Sequence, residues 1–218
     1  MALWIKICGI TTTEDAERVL EAGADALGVN LVPSSKRFVD EATVRRVIAA
    51  VRGRLEVVAV VADADPAYLA ALREQLGVDA LQLHGSEPPD VLARLLPHAY
   101  QAVRIATAAD VTAARAYGGS RLLVDAKVKG ELGGTGHTFD WALVQELARE
   151  RAVVVAGGLT PENVSAAVLA TKPYGLDTAS GVEGADPRRK DPAKITSFIA
   201  RARAAAIEAG LDTAARVD

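Results

Sequence analysis

Short runs of apolar and β-branched residues alternate with longer amphipathic stretches from one end of the chain to the other. Eight runs are legible: Leu3–Ile7, Ala26–Val29, Leu55–Val61, Ala80–Leu83, Ala102–Ile105, Leu122–Asp125, Ala152–Ala156 and Tyr174–Asp177. Most are too continuously apolar for strands wet on one face, so they predict a parallel sheet buried on both faces. The stretches between them are rich in Ala, Leu, Glu and Arg and carry helix-start signals. Asp65-Pro66, Thr160-Pro161 and Asp191-Pro192 each set a capping side chain before a proline at the first helical position. Thr12-Thr13-Glu14-Asp15 gives the first helix a polar cap and an acidic first turn. Glycines in Ala22-Gly23, Leu76-Gly77 and Tyr117-Gly118-Gly119 suit the left-handed residue just past a helix end.

Eight strand–helix repeats in 218 residues predict an α/β fold of one domain over residues 1–218, a single (βα)8 TIM barrel with eight parallel strands. Closure removes both sheet edges. The tail from about Ile207 is expected to fray.

Half the residues are hydrophobic and about a quarter charged, the balance of a globular protein that buries a sizeable core. A net charge of -3 with mixed signs, and aromatics at 4%, argue against nucleic-acid binding. The apolar start is short and broken by Lys6, and no run approaches the ~20 residues of a membrane span, so neither a signal peptide nor a membrane partner is expected. One cysteine, Cys8, makes no internal disulfide, and a cytoplasmic location is expected. The three histidines, His84, His98 and His137, fall on separate loops, and no metal site is expected.

Catalytic groups of such barrels sit at the C-terminal ends of the strands. Those ends read Lys6-Ile7-Cys8-Gly9-Ile10, Ser34-Ser35-Lys36-Arg37, Gln82-Leu83-His84-Gly85, Val124-Asp125, Ala156-Gly157-Gly158-Leu159 and Asp177-Thr178-Ala179-Ser180-Gly181-Val182-Glu183. Gly157-Gly158 and Ser180-Gly181 follow strands seven and eight, where barrels commonly hold phosphate on backbone N–H groups. A small-molecule phosphorylated substrate is therefore expected there. Plain turn chemistry explains most Gly-Gly pairs; two such loops at that pair of strands favour phosphate.

These pieces, with Gly133-Gly134-Thr135-Gly136, Phe139-Asp140-Trp141, Leu159-Thr160-Pro161-Glu162-Asn163-Val164 and Lys190-Asp191-Pro192, resemble phosphoribosylanthranilate isomerase in order from Lys6 to Asp191. The resemblance implies an Amadori rearrangement of N-(5-phosphoribosyl)anthranilate in tryptophan biosynthesis, without metal or organic cofactor. It puts Cys8 at the general-base position and Asp125 at the general-acid position. One group must lack a proton while the other holds one, so their environments must differ. Lys6 is expected to point away from Cys8, which leaves the group that ionises the thiol unidentified. Arg37 is the expected clamp for the anthranilate carboxylate, with Lys36 a solvated charge. His84 is expected to line the pocket, Asp177 to orient or cap the last loop, and residues 133–136 to cover the site.

Two departures from the family pattern stand out. Gly28-Val29-Asn30-Leu31-Val32 lacks the more usual aromatics, and Asp177-Thr178-Ala179-Ser180 replaces the commoner Asp-Val-Ser-Ser. The competing readings are a ProFAR-type isomerase of histidine biosynthesis, another phosphate-binding barrel such as ribulose-phosphate epimerase, and a non-catalytic phosphate-ligand sensor. The first typically uses an aspartate pair at strands one and five, whereas strand one here ends in Cys8 and strand five in no aspartate. The sensor need not keep Cys8 and Asp125 together. A monomer or a homodimer is expected.

Overall fold

The structure, a computed structural model, describes residues 2–125 and 141–211. The expected cover loop at 133–136, His137 and the tail beyond 211 lie outside the described residues. In chain order the elements are β1 (Trp4–Cys8), α1 (Thr13–Glu21), β2 (Ala26–Asn30), α2 (Glu41–Val51), β3 (Glu56–Val61), α3 (Pro66–Leu76), β4 (Ala80–Leu83) and α4 (Pro89–Leu95). There follow β5 (Ala99–Arg104), α5 (Ala108–Ala114), β6 (Arg121–Asp125), α6 (Trp141–Glu150), β7 (Ala152–Ala156), α7 (Val164–Thr171), β8 (Gly175–Thr178) and α8 (Pro192–Glu208). The strands close into a barrel in the order β1 to β8, all pairs parallel.

Local chemistry accounts for most boundaries. Thr12, Asp65 and Asp191 cap α1, α3 and α8 with side-chain oxygens that accept backbone N–H groups, and Pro66 and Pro192 open their helices. Gly77 closes α3 in the left-handed conformation, φ 76°. Several strand ends shift by one residue from the sequence expectation, and two element starts shift by three. Strand β5 begins at Ala99 rather than Ala102, because Ala99, Tyr100 and Gln101 pair with Leu81, Gln82 and Leu83 of β4. Helix α7 begins at Val164, not Pro161: the Asn163 Oδ1 accepts the Thr160 N–H at 2.8 Å and shapes a turn ahead of the helix. At the other end, α8 runs through Glu208 and Leu211 packs on the core.

Period-two alternation splits every strand between two cores. Outward residues such as Ile5, Ile7, Leu27, Leu81, Val124, Val155 and Leu176 join the helices in one large cluster. Inward residues fill the barrel. At its floor lie Trp4, Tyr100 and Arg121, the guanidinium 4.9 Å from the Trp4 ring centre and 4.4 Å from that of Tyr100. Glu56 pairs with Arg121 and accepts the Trp4 indole N–H.

Above that floor the interior is charged. Lys6, fully buried, places its Nζ 2.9 Å from Asp177 Oδ2 of β8 and 2.8 Å from Gln82 Oε1 of β4. Lys6→Met would leave the Asp177 carboxylate buried without its cation, and a loss of about 3–5 kcal/mol is expected in urea unfolding. The double variant Lys6→Met/Asp177→Leu should recover much of that loss. Equal destabilisation in both would show that packing, not charge, is at stake.

Candidate active site

The barrel mouth opens into a cavity of about 480 Å³ lined by Cys8, Arg37, His84, Asp125, Gly157, Gly158 and Ser180. Seven of the eight residues singled out from sequence thus meet around one space. The eighth, Gly181, is not among the lining residues: a Cβ there would run into the Leu159 carbonyl, so glycine is what lets the loops after β7 and β8 touch. Thr178 Oγ1 donates to the same carbonyl at 2.7 Å and fastens the two loops together. Gly157 and Gly158 have φ of 97° and 70°, and nothing lies within 4 Å of the Cβ position of Gly158. That bare backbone facing open space is the form an oxyanion site takes.

Cys8 ends β1 on the inward face. Lys6 stands two residues before it, and a strand turns residues two apart to the same side, so the expectation that Lys6 points away is corrected. Gly28 of β2 makes room for both: a Cβ there would lie 2.8 Å from Cys8 Sγ and 2.9 Å from Lys6 Cε. Burial pushes the Cys8 thiol above its ordinary value; Lys6, which also hydrogen-bonds it, opposes the rise, Asp177 adds to it and Lys190 opposes it. Burial alone would lower the Lys6 ammonium, but Asp177, Cys8 and Tyr100 outweigh that and hold it above the lysine norm.

The second cation comes from the loop after β8. Glu183 and Lys190 form an antiparallel bridge, and the fully buried Lys190 side chain donates to the Ala179 carbonyl at 2.9 Å. Buried Asp15 of α1 anchors this loop, accepting the Lys190 N–H at 3.2 Å and Arg189 Nε at 3.3 Å. Burial pushes the Lys190 amine down, while Cys8 and Glu183 oppose that shift. Glu183 faces three cations: it holds Arg37 Nε, with Lys190 at 3.6 Å and Lys36 at 3.8 Å. One carboxylate against three cations leaves this wall positive. Gly9, φ 76°, lets the Arg37 side chain lie across the end of β1, where any Cβ would collide with it. Lys36 is mostly exposed, as expected, yet lines the cavity rim.

Asp125 ends β6, half-buried, and lines both this cavity and a neighbouring one of about 430 Å³ that reaches Arg104 and Tyr117. His84 is the other residue common to both that came from sequence. Asp177 is more than a loop cap: it is the counter-ion of Lys6, and its Oδ1 is buried with no hydrogen-bond partner among the described residues. Lys6, Gln82, Asp177, Glu183 and Lys190 were not marked as site residues from sequence. For Lys6 and Gln82 the signal was available, since each lies two residues before a marked one.

A model of the N-(5'phosphoribosyl)anthranilate (PRA) isomerase family matches residues 5–201. The chain belongs to that family. The N-(5'-phosphoribosyl)anthranilate isomerase of Magnetococcus marinus is 40% identical over 211 residues, covering 97% of this chain and all of that one. That of Myxococcus xanthus is 41% identical over 209 residues, covering 93% and 97%. Among solved structures, the Thermotoga maritima phosphoribosyl anthranilate isomerase superposes with a TM-score of 0.83 at 34% identity, covering 93% of this chain and 99% of that one. A phosphoribosyl anthranilate isomerase in complex with reduced 1-(o-carboxyphenylamino)-1-deoxyribulose 5-phosphate gives 0.81 at 32%, with the same coverage.

Were Cys8 to act as a base in its thiolate form, activity would rise with pH through the thiol pKa, which burial holds above the ordinary value. The acidic limb of kcat/KM should therefore lie in the alkaline range, and Lys190→Met, which removes an opposing cation, should move it further up. Lys190→Arg should restore it. A limb that Lys190→Met leaves in place would remove Lys190 from the electrostatics of the base.

Proposed function

We propose that this chain isomerises N-(5-phosphoribosyl)anthranilate to 1-(2-carboxyphenylamino)-1-deoxyribulose 5-phosphate, an acid–base Amadori rearrangement of tryptophan biosynthesis. Family membership supports the reaction. The observation that carries the assignment of roles is that Cys8 and Asp125 line one cavity with the Gly157-Gly158 backbone, Ser180 and Arg37.

Phosphate sits on the loops after β7 and β8, where positive-φ glycines and Ser180 offer polar backbone and a hydroxyl. The anthranilate carboxylate lies against the positive wall of Arg37, Lys36 and Lys190. Asp125 gives its proton to the ring oxygen as the C1′–O bond breaks and the amine nitrogen forms a C1′=N bond. The Cys8 thiolate then takes the proton from C2′, and the electron pair closes a C1′=C2′ bond while the nitrogen regains its lone pair. Protonation at C1′ with loss of the 2′-hydroxyl proton yields the ketone. The first two steps are driven by proton transfer, from Asp125 and to Cys8. The reading extends to a cytoplasmic enzyme, monomeric or homodimeric. Among the described residues no helix is long and apolar enough to cross a membrane, and the Thermotoga maritima isomerase is described as dimeric.

Loss of anthranilate fluorescence on mixing with freshly made phosphoribosylanthranilate tests the activity. Cys8→Ser and Asp125→Asn should each lower kcat by about 10²–10⁴-fold while product-analogue affinity stays close to wild type. Their effects should be non-additive, because removing either already stalls the route. Near-normal turnover in Cys8→Ser, with chemistry limiting the rate, would make Cys8 a packed core residue.

Arg37→Ala should weaken substrate binding about ten- to a hundredfold, the loss of one charge-assisted contact. An unchanged KM would take Arg37 out of the site. Inorganic phosphate should compete with substrate, and Gly158→Asp should abolish that competition by bulk and like charge. Competition that survives Gly158→Asp would place the phosphate elsewhere.

A further inference from the structure

Gln82 is bonded at both ends of its side-chain amide. Its Oε1 accepts from Lys6 Nζ at 2.8 Å and from the Tyr100 hydroxyl at 3.1 Å. Its Nε2 lies 2.8 Å from His84 Nδ1. Lys6 is an ammonium and can only donate, so it demands the amide oxygen. The opposite amide orientation would set an NH2 group against that ammonium. Burial pushes the Tyr100 phenol up, which keeps it a donor to the same oxygen. The amide nitrogen therefore faces His84, and it too can only donate. His84 Nδ1 must be the acceptor, which leaves the hydrogen of a neutral imidazole on Nε2.

The ring is biased toward neutrality from its surroundings as well. Burial pushes His84 below its ordinary value; Asp125 and Asp177 oppose the shift, Lys6 and Arg104 add to it. The Nδ1 side is occupied by Gln82, and His84 lines both cavities beside Asp125.

We propose that Gln82 is a positioning residue: anchored by Lys6 and Tyr100, it locks His84 as the Nε2–H tautomer, which donates a hydrogen bond to an oxygen of the bound sugar phosphate. The substrate contact rests on the site reading above; the tautomer does not. Asp177, Lys6, Gln82 and His84 form one directed chain from β8 through β1 to β4. Each link is set by a group that can act in only one sense: a carboxylate that accepts, an ammonium that donates, an amide held between them. A core glutamine that merely filled space would impose no tautomer on its neighbour.

Nitrogen-15 NMR of the imidazoles in the full chain tests this. With three histidines in the sequence, loss of one set of signals in His84→Gln identifies His84. In the wild type at neutral pH, with or without inorganic phosphate, Nε2 should carry the proton and Nδ1 the lone pair. Gln82→Glu replaces the donor with an acceptor and should move the proton to Nδ1. It should also lower kcat/KM about ten- to a hundredfold, mostly through KM, as expected for one lost buried hydrogen bond. Gln82→Met keeps the length without adding charge and should give a tautomer mixture, so the test survives if the glutamate variant fails to fold. Tyr100→Phe leaves Lys6 on Oε1 and should keep the lock.

An Nδ1–H or imidazolium His84 in the wild type would overturn the proposal. So would a tautomer that neither Gln82 variant changes, or a shifted tautomer with an unchanged KM. A wild type that fails to turn over phosphoribosylanthranilate yet shows the locked tautomer would instead count against the functional reading.

Discussion

The buried ammonium of Lys6 organises the interior of this barrel. Lys6 stands where a (βα)8 barrel would ordinarily pack branched hydrocarbon, and its charge is tolerable only because Asp177 and Gln82 meet it from across the barrel. That demand reaches further than its own contacts. It calls for a carboxylate on β8 and an amide oxygen on β4, and for space on β2, which Gly28 supplies. It also sets a positive charge directly under the thiol of Cys8. The interior thus rises in three levels: an aromatic floor around Trp4, Tyr100 and Arg121, a charged middle layer around Lys6, and a rim where Cys8, His84 and Asp125 line the cavity.

The same alternation explains why floor, middle and rim share strands. Trp4, Lys6 and Cys8 are successive inward residues of β1, while Ile5 and Ile7 face the helices. A barrel strand can therefore carry stability at its start and chemistry at its end without conflict, since the two lie at different heights on one face. The rim is then completed by loops whose positions depend on close backbone approach. Gly181 against Leu159, and Gly9 under Arg37, are places where any side chain would push the site apart.

Charge is distributed unevenly around the mouth. Glu183 is shared by Arg37, Lys190 and Lys36, so the wall near β1 and β8 stays positive, whereas the neighbouring cavity is lined by Asp63, Asp110 and Asp125 together with Arg104. Burial pushes the Cys8 thiol up, and Lys6 and Lys190 oppose that rise.

The sequence by itself determined the barrel, because hydrophobic periodicity, capping pairs and glycine stops are local and repeat eight times. It also marked Cys8, Asp125, Arg37, His84 and the glycine loops, because strand ends in this architecture converge wherever the strands lie. What it could not decide were relations between distant segments. The start of β5 depends on pairing with β4, and the start of α7 on a side-chain bond from Asn163. The partner of Lys6 lies 171 residues away on β8, and the cation beside Cys8 arrives on a loop held by Asp15 of α1. Even the direction of Lys6, readable in principle from two-residue alternation, gained meaning only with Asp177 and Gln82 in place. Propensity and periodicity act over a few residues; the ionisation and tautomer states of the site are set by charges that only closure of the barrel brings within a few ångströms.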